Sequence, residues 1–308
     1  MHMNRRQFIV TGFAAAASRD VFAAPNVSAG NGEYHAFSRV FQFLKDVYKT
    51  ADLLRECGYD GVEWTARPGG FIDPAKATPA ELKRSRAAAA AAGIKADNLI
   101  VSFLRGNEPG AERLIMNAAE AGFKSFRGGY FRYDRARRHG ENMDAIRRGF
   151  DSLAALAEKS GMKACYQNHS TYNRAVPLFG SLVWDLVSVV RNYDPRFIGI
   201  QYDPMHIRAE GGPSWDHTLG AAAKWIDMVC LKDFHFAPDQ TGRDWKRVLV
   251  PAGEGIVDFA EVRRLMVLEG VASRFTVHYD YDFPKDEVGA RRSAAADLRR
   301  FRSVMSRS

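Results

Sequence analysis

The chain is poor in cysteine, with three in 308 residues: Cys57, Cys165 and Cys230. Scattered singly, they exclude a disulfide framework and a cysteine-rich zinc cluster. Cys165 and Cys230 fall in apolar runs, where a thiol behaves as a small hydrophobe. No G-x-G-x-x-G follows an early β-prone run, which argues against a dinucleotide-binding sheet. No apolar run is long enough to span a bilayer. An aromatic-interleaved basic tract is missing too, although 44 Lys and Arg outnumber 36 Asp and Glu. No nucleic-acid partner is therefore expected. The two local surpluses, Lys124 to Arg148 (with Arg132, Arg135, Arg137 and Arg138) and Lys285 to Arg307, read as solvated helix faces.

What is present begins with an address. Asn4-Arg5-Arg6-Gln7-Phe8 opens a short apolar run, Phe8 to Ala17, followed by Val21-Phe22-Ala23. A charged start, a short apolar middle and small residues near a cleavage point make a signal peptide. The arginine pair followed by Gln-Phe resembles the twin-arginine export signal of bacteria. A general secretory signal or an uncleaved tether is the alternative. Residues 1–24 are thus expected to be a leader, residues 25–308 a single domain, and the protein exported to a bacterial periplasm.

From Tyr34 onward, short β-prone runs alternate with helix-length amphipathic segments. The expected strands are Tyr34–Phe41, Gly61–Trp64, Lys95–Ser102, Ser125–Arg127, Lys163–Asn168, Ile198–Tyr202, Met228–Asp233 and Arg274–Tyr281. Expected helices include Val47–Cys57, Ala80–Ala92, Ala111–Ala121, Asn142–Lys159, Trp184–Arg191 and Phe259–Leu268. Gly58, Gly93, Gly122, Gly161 and Gly270 each stand where a helix gives way to a strand, as helix stop signals do. Repeated βα units of this number predict an α/β fold, a (β/α)8 TIM barrel.

In such a barrel the functional groups sit at the C-terminal ends of the strands. Those ends carry Glu63 with Trp64 and Arg67, then Arg127, then Gln167-Asn168-His169. Further on come Asp203 with His206, Lys232-Asp233, and His278-Tyr279-Asp280. Each alone is explained by an ion pair, a cap or a core histidine; together the fold aims them at one mouth. Aromatic residues nearby (Trp64, Tyr130, Phe131, Tyr133, Tyr166, Tyr172, Tyr202) offer flat faces for sugar C–H surfaces, although most such residues pack at loop bases.

The segments Gly58-Tyr59-Asp60-Gly61-Val62-Glu63, Gln167-Asn168-His169, Tyr202-Asp203-Pro204-Met205-His206, Leu231-Lys232-Asp233 and Gly253-Glu254-Gly255-Ile256-Val257-Asp258-Phe259, in this order, resemble the xylose-isomerase-like TIM-barrel superfamily, often labelled sugar phosphate isomerase/epimerase. The resemblance covers about residues 33 to 283. It implies a divalent metal held by Glu, Asp, His and Glu on the fifth to eighth strands, at positions that fall here on Gln167, Asp203, Cys230 and Asp280. Two of those four depart in kind, a neutral amide for a carboxylate and a thiol for an imidazole. The expected metal set, for Mn2+ or Mg2+, is therefore Asp203, Gln167, Asp280 and His206, with a site that holds no metal as the alternative. In the latter case Lys232 replaces the cation; an ion pair with Asp233 or Asp203 is its structural alternative.

The expected reaction is proton transfer alpha to a carbonyl of a carbohydrate or sugar derivative: isomerisation, epimerisation or elimination. Asp280, His206 and Lys232 are the candidate catalytic groups. Glu63, Arg67, Arg127, Asn168, His169 and Trp64 are the candidate substrate contacts. A sugar-binding barrel that has lost catalysis is the alternative, motivated by Gln167 and Cys230. A small carbohydrate is the expected partner, with a homo-oligomer left open.

Overall fold

The computed structural model describes residues 32–171 and 177–306; the expected leader, residues 1–24, and Tyr172 lie outside them. In chain order the elements are β1 Glu33–Phe37, α1 Val47–Cys57, β2 Gly61–Thr65, α2 Pro79–Ala91, β3 Lys95–Ile100, α3 Ala111–Glu120, β4 Ser125–Arg127, α4 His139–Ser160, β5 Lys163–Gln167, α5 Val183–Val190, β6 Ile198–Tyr202, α6 Pro204–Gly211, α7 His217–Ala222, β7 Ile226–Leu231, β8 Asp233–Pro238, β9 Trp245–Val250, α8 Phe259–Leu268, β10 Arg274–Val277 and α9 Glu287–Met305.

Eight parallel strands close into a barrel in the order β1-β10-β7-β6-β5-β4-β3-β2, with β1 bonded to both β2 and β10. The expected (β/α)8 barrel forms, and all eight expected strands contribute to it. The reason is local. Asp46 caps α1 by accepting from the backbone N–H of Tyr48 and Lys49, and Thr78 caps α2 ahead of Pro79 at its first turn. The five glycines at the helix ends take φ between 66° and 96°, the left-handed region that a side chain resists. Val, Leu, Ile and Phe from the strands and inner helix faces make one continuous core.

Two features differ from expectation. The first strand stops at Phe37, because Ser38 turns inward to accept a hydrogen bond from Thr65 N–H at 3.1 Å; a 3-10 helix, Ser38–Leu44, follows. The seventh strand ends at Leu231, and Asp233 instead begins an antiparallel hairpin, β8 with β9, inserted after it. The basic tail is helical, as expected: α9, anchored by buried Ala290, Ala294, Leu298, Phe301 and Met305. No helix among the described residues is long and apolar enough to cross a membrane.

Candidate functional site

Beneath the mouth, inside the barrel, Glu63 on β2 is fully buried. Its carboxylate accepts from Asn98 on β3, from Gln201 Nε2 on β6 at 2.6 Å, and from the Thr276 hydroxyl on β10. Burial pushes its carboxyl up, but neighbouring His278, the Arg127 charge and the Thr276 hydroxyl hold it low, at about 2. His278 Nε2 stands 3.8 Å from Glu63, beyond hydrogen-bond reach, and has no hydrogen-bond partner among the described residues. Glu63 therefore ties strands across the barrel and forms the floor of the site.

Above that floor a chain of polar contacts crosses three strand ends. Arg127 Nη1 donates to the Tyr130 hydroxyl at 2.9 Å, and Tyr130 donates to Gln167 Oε1 at 2.7 Å. Gln167 Nε2 donates to Asp203 Oδ2 at 2.7 Å. Asn168 clamps the same turn, donating to the Asp203 carbonyl at 2.9 Å and accepting from its N–H at 2.7 Å. Asp203 also caps α6 through His206 N–H, which explains why Asp-Pro opens that helix.

Lys232 is the hub. Only 3% exposed, its ammonium lies 2.8 Å from Asp280 Oδ2, 3.1 Å from Asp203 Oδ2 and 2.7 Å from His206 Nε2. Burial would lower its pKa, but the two carboxylates reverse that and hold it above the ordinary lysine value. Asp280 is driven the other way: burial opposes its charge, yet Lys232 holds the carboxyl well below the usual range. Because the ammonium donates to His206 Nε2, the His206 proton sits on Nδ1, where Ser170 Oγ stands at 2.6 Å. The His169 ring packs on that of His206 with centroids 3.7 Å apart, and its Nδ1 donates to the Ser170 carbonyl at 2.8 Å. Burial, and then the Lys232 charge, push His169 down to about 3 and His206 well below the imidazole range, so both rings are neutral near pH 7.

This array opens into a cavity of about 270 Å3 lined by Arg39, His169, Met205, His206, Arg247, Leu249 and Asp280. A second cavity of about 460 Å3 adjoins it, sharing Arg39 and Asp280 and reaching Lys285. The structure thus brings Asp280, His206, Lys232, Asp203, Gln167, Asn168, His169 and Arg127 together at the strand ends. It keeps two expected substrate contacts elsewhere. Trp64 is fully buried in the core, edge-on to Phe71, because it follows inward-facing Glu63 by one residue and so faces the helices. Arg67 uses its Nε to bond the Val101 carbonyl at 3.0 Å, fastening the loop after β2. Most of the aromatic residues are packing: Phe131, Tyr166 and Tyr202 are buried, and Tyr133 bonds Asp185 at 2.5 Å. Tyr130 is the exception, with its ring against His169.

Sequence reasoning missed Arg39 and Arg247 at the cavity. Arg39 was hidden inside an over-long first strand. Arg247 arrives on the unforeseen hairpin, where it donates to the Thr171 carbonyl at 2.7 Å, and had no local signal. Lys232-Asp233 also resolves differently from an ion pair. Asp233 turns away and accepts from the N–H groups of Phe234, Gly253, Gly255 and Val257 at 2.9–3.2 Å. A Cβ on Gly255 would come within 2.1 Å of Asp233 Oδ1, so the Gly253–Val257 segment can wrap this carboxylate only as glycine at that point.

The expected metal ligands do not fit a divalent ion in this arrangement. Asp203, Asp280 and His206 all point their acceptor atoms at one ammonium, and Gln167 presents its amide N–H, not its oxygen, to Asp203. Asp203, Cys230 and His278 do offer one ligand atom each within 4.8 Å of one another. Burial raises the Cys230 thiol well above its usual value, and the Lys232 ammonium already holds Asp203.

Residues 51–303 match the profile of a family described as xylose isomerase-like TIM barrel. Among solved structures, D-psicose 3-epimerase with D-tagatose from Clostridium cellulolyticum H10 superposes with a TM-score of 0.63 at 14% identity, covering 89% of this chain and 99% of that one. The apo 3-keto-D-glucoside 4-epimerase from E. coli gives 0.64 at 16% identity, covering 87% and 99%. A xylose isomerase-like TIM barrel protein from Mycobacterium smegmatis in complex with magnesium gives 0.63 at 14%, covering 89% and 98%. At these identities the likeness is one of fold. No curated protein matches the chain significantly.

Proposed function

Because the chain belongs to the xylose isomerase-like TIM barrel family, we propose that it is an enzyme of the sugar isomerase and epimerase kind, moving a proton alpha to the carbonyl of a carbohydrate beside Asp280. The observation that carries this reading is the coupling of a cavity-facing carboxylate to an ammonium buried behind it. Asp280 is the more exposed of the two acids on Lys232, with 24% of its side chain exposed against none of Asp203.

In the free site Asp280 is a weak base, because Lys232 stabilises its charge. A substrate carbonyl oxygen reaching Lys232 Nζ competes with Asp280 for one N–H. As Asp280 takes the proton from carbon, the C–H electron pair moves into the carbonyl, and the oxygen gains the negative charge that the ammonium then balances. The carboxylate regains basicity as it yields its partner; the proton then passes from Asp280 to the former carbonyl carbon while the neighbouring hydroxyl proton moves to the first oxygen, which leaves the carbonyl on the adjacent carbon. His206, Gln167 and Asn168 act as positioning residues, fixing Lys232 and Asp203 through the bonds described above. The names of the two epimerases with the same fold support a sugar ligand, and the arginine-pair leader supports action outside the cytoplasm.

The test is incubation with a panel of ketoses and sugar acids in deuterium oxide. Incorporation of solvent deuterium at carbon, lost in Asp280→Asn, is the expected result. Tight calorimetric binding of a sugar with no incorporation would leave a binding barrel instead and overturn the proposal.

A further inference from the structure

We infer that Lys232 is the resident cation of this barrel, and that the mouth excludes a divalent metal. The inference concerns the site and not the reaction, so it stands or falls apart from the proposed function.

Its first ground is occupancy. A divalent ion at the strand ends would need Asp203 and Asp280 to converge on one point. They do converge, and the point is Lys232 Nζ, at 3.1 and 2.8 Å, with His206 Nε2 adding a third contact at 2.7 Å. Each N–H of the ammonium thus has an acceptor, and the lone pair with which His206 would ligate is used. Gln167 closes the fourth side with its amide N–H on Asp203, while its carbonyl oxygen accepts from Tyr130. A glutamate there would repel Asp203; the neutral amide fits because one ammonium already balances one of the two acids.

The second ground is charge. Glu63, Asp203 and Asp280 face Arg127 and Lys232, three acids against two bases, all in or under the mouth. Arg39 and Arg247 line the cavity on its outer side. A divalent cation added to this set would stand within a few ångströms of a buried ammonium, where a weakly screened like charge costs several kcal/mol. The same repulsion weighs against the Asp203, Cys230 and His278 trio, whose thiol would also have to ionise beside Asp203 and Glu63. An ammonium stabilises one developing oxyanion through directed N–H bonds; unlike a metal it does not chelate two vicinal oxygens.

The test needs no substrate. Full-length protein, purified without chelator, is analysed for bound metals and then titrated with Mn2+, followed by its paramagnetic resonance signal, and with Zn2+ by calorimetry. Wild-type protein is expected to carry no stoichiometric metal, and its melting temperature to be unmoved by EDTA or by added Mn2+. Lys232→Met combined with Gln167→Glu is expected to gain Mn2+ binding, because removing the ammonium and restoring a carboxylate leaves three acids converging on one space. Wild-type binding of about one equivalent of Mn2+ or Zn2+, lost in Asp203→Asn or in Cys230→Ser, would overturn the inference. If the double variant fails to fold, the wild-type titration decides alone.

Discussion

Lys232→Met is the perturbation whose consequence the structure specifies most fully. Methionine fills much of the same volume but removes the ammonium that Asp203, Asp280 and His206 share. Asp203 is fully buried and loses the ammonium that pairs with it; Asp280, with 24% of its side chain exposed, regains part of its hydration. Breaking a buried ion pair by deleting one partner costs about 3–5 kcal/mol, the larger part here falling on Asp203. The cost depends on pH. In the wild type the Asp280 pKa is depressed, so its contribution is present above the unfolded carboxyl value and lost as pH falls through the folded one. The Lys232 pKa is raised, so its contribution is present below the unfolded lysine value and lost only at strongly alkaline pH. In the variant, a buried carboxylate without its ammonium holds a proton to higher pH than the unfolded chain does, so stability falls as pH rises. Urea denaturation at pH 4.5, 6 and 8 should therefore show a gap from wild type that widens with pH and reaches about 3–5 kcal/mol at the highest. A gap under about 1 kcal/mol at pH 8, or one independent of pH, would refute the buried ammonium pair.

Other expectations follow from the same contacts. Asp280→Asn should lower exchange of the substrate C–H by roughly 100-fold or more while the circular dichroism spectrum and denaturation midpoint stay near wild type, since the amide keeps the shape but not the base. His169, at about 3, with His206 and His278 also lowered by burial, should make the protein acid-labile: the unfolded chain takes up protons below about 6.5 that the folded one refuses, so stability falls with pH from there down. Imidazole resonances of these rings that titrate between pH 6 and 7 in the folded protein would contradict it. Asp233→Ala should cost about 2–4 kcal/mol by chemical denaturation, because four backbone N–H groups lose their acceptor. It should leave metal uptake as in wild type.

The architecture was legible because its signals are local. Glycine at a helix end needs only its own φ, as Gly58 at 96° and Gly161 at 67° show, and helix α1 was bounded correctly by its apolar spacing and that glycine. Strand ends rich in Asp, Gln, Asn and His marked the mouth before any pairing was known, since a barrel collects those ends on one face. Asp-Pro at Asp203 and Pro204 likewise carries its own meaning as a helix start.

The pairings lay beyond the sequence. Lys232 chooses Asp203, Asp280 and His206 over the adjacent Asp233, although the nearest of these lies 26 residues away. That choice depends on β6, β7 and β10 lying side by side, and on Asp233 being claimed by the Gly253–Val257 backbone. Strand parity alone separates Glu63 from Trp64: one residue of register decides which enters the barrel and which joins the core. The β8–β9 hairpin, which delivers Arg247, has no periodic signal strong enough to separate it from a loop. Sequence thus determined the units, their number and the face where chemistry collects, because each rests on neighbouring residues. Tertiary structure alone decided which cation occupies that face, because an ion pair is formed by proximity in space between groups far apart in the chain.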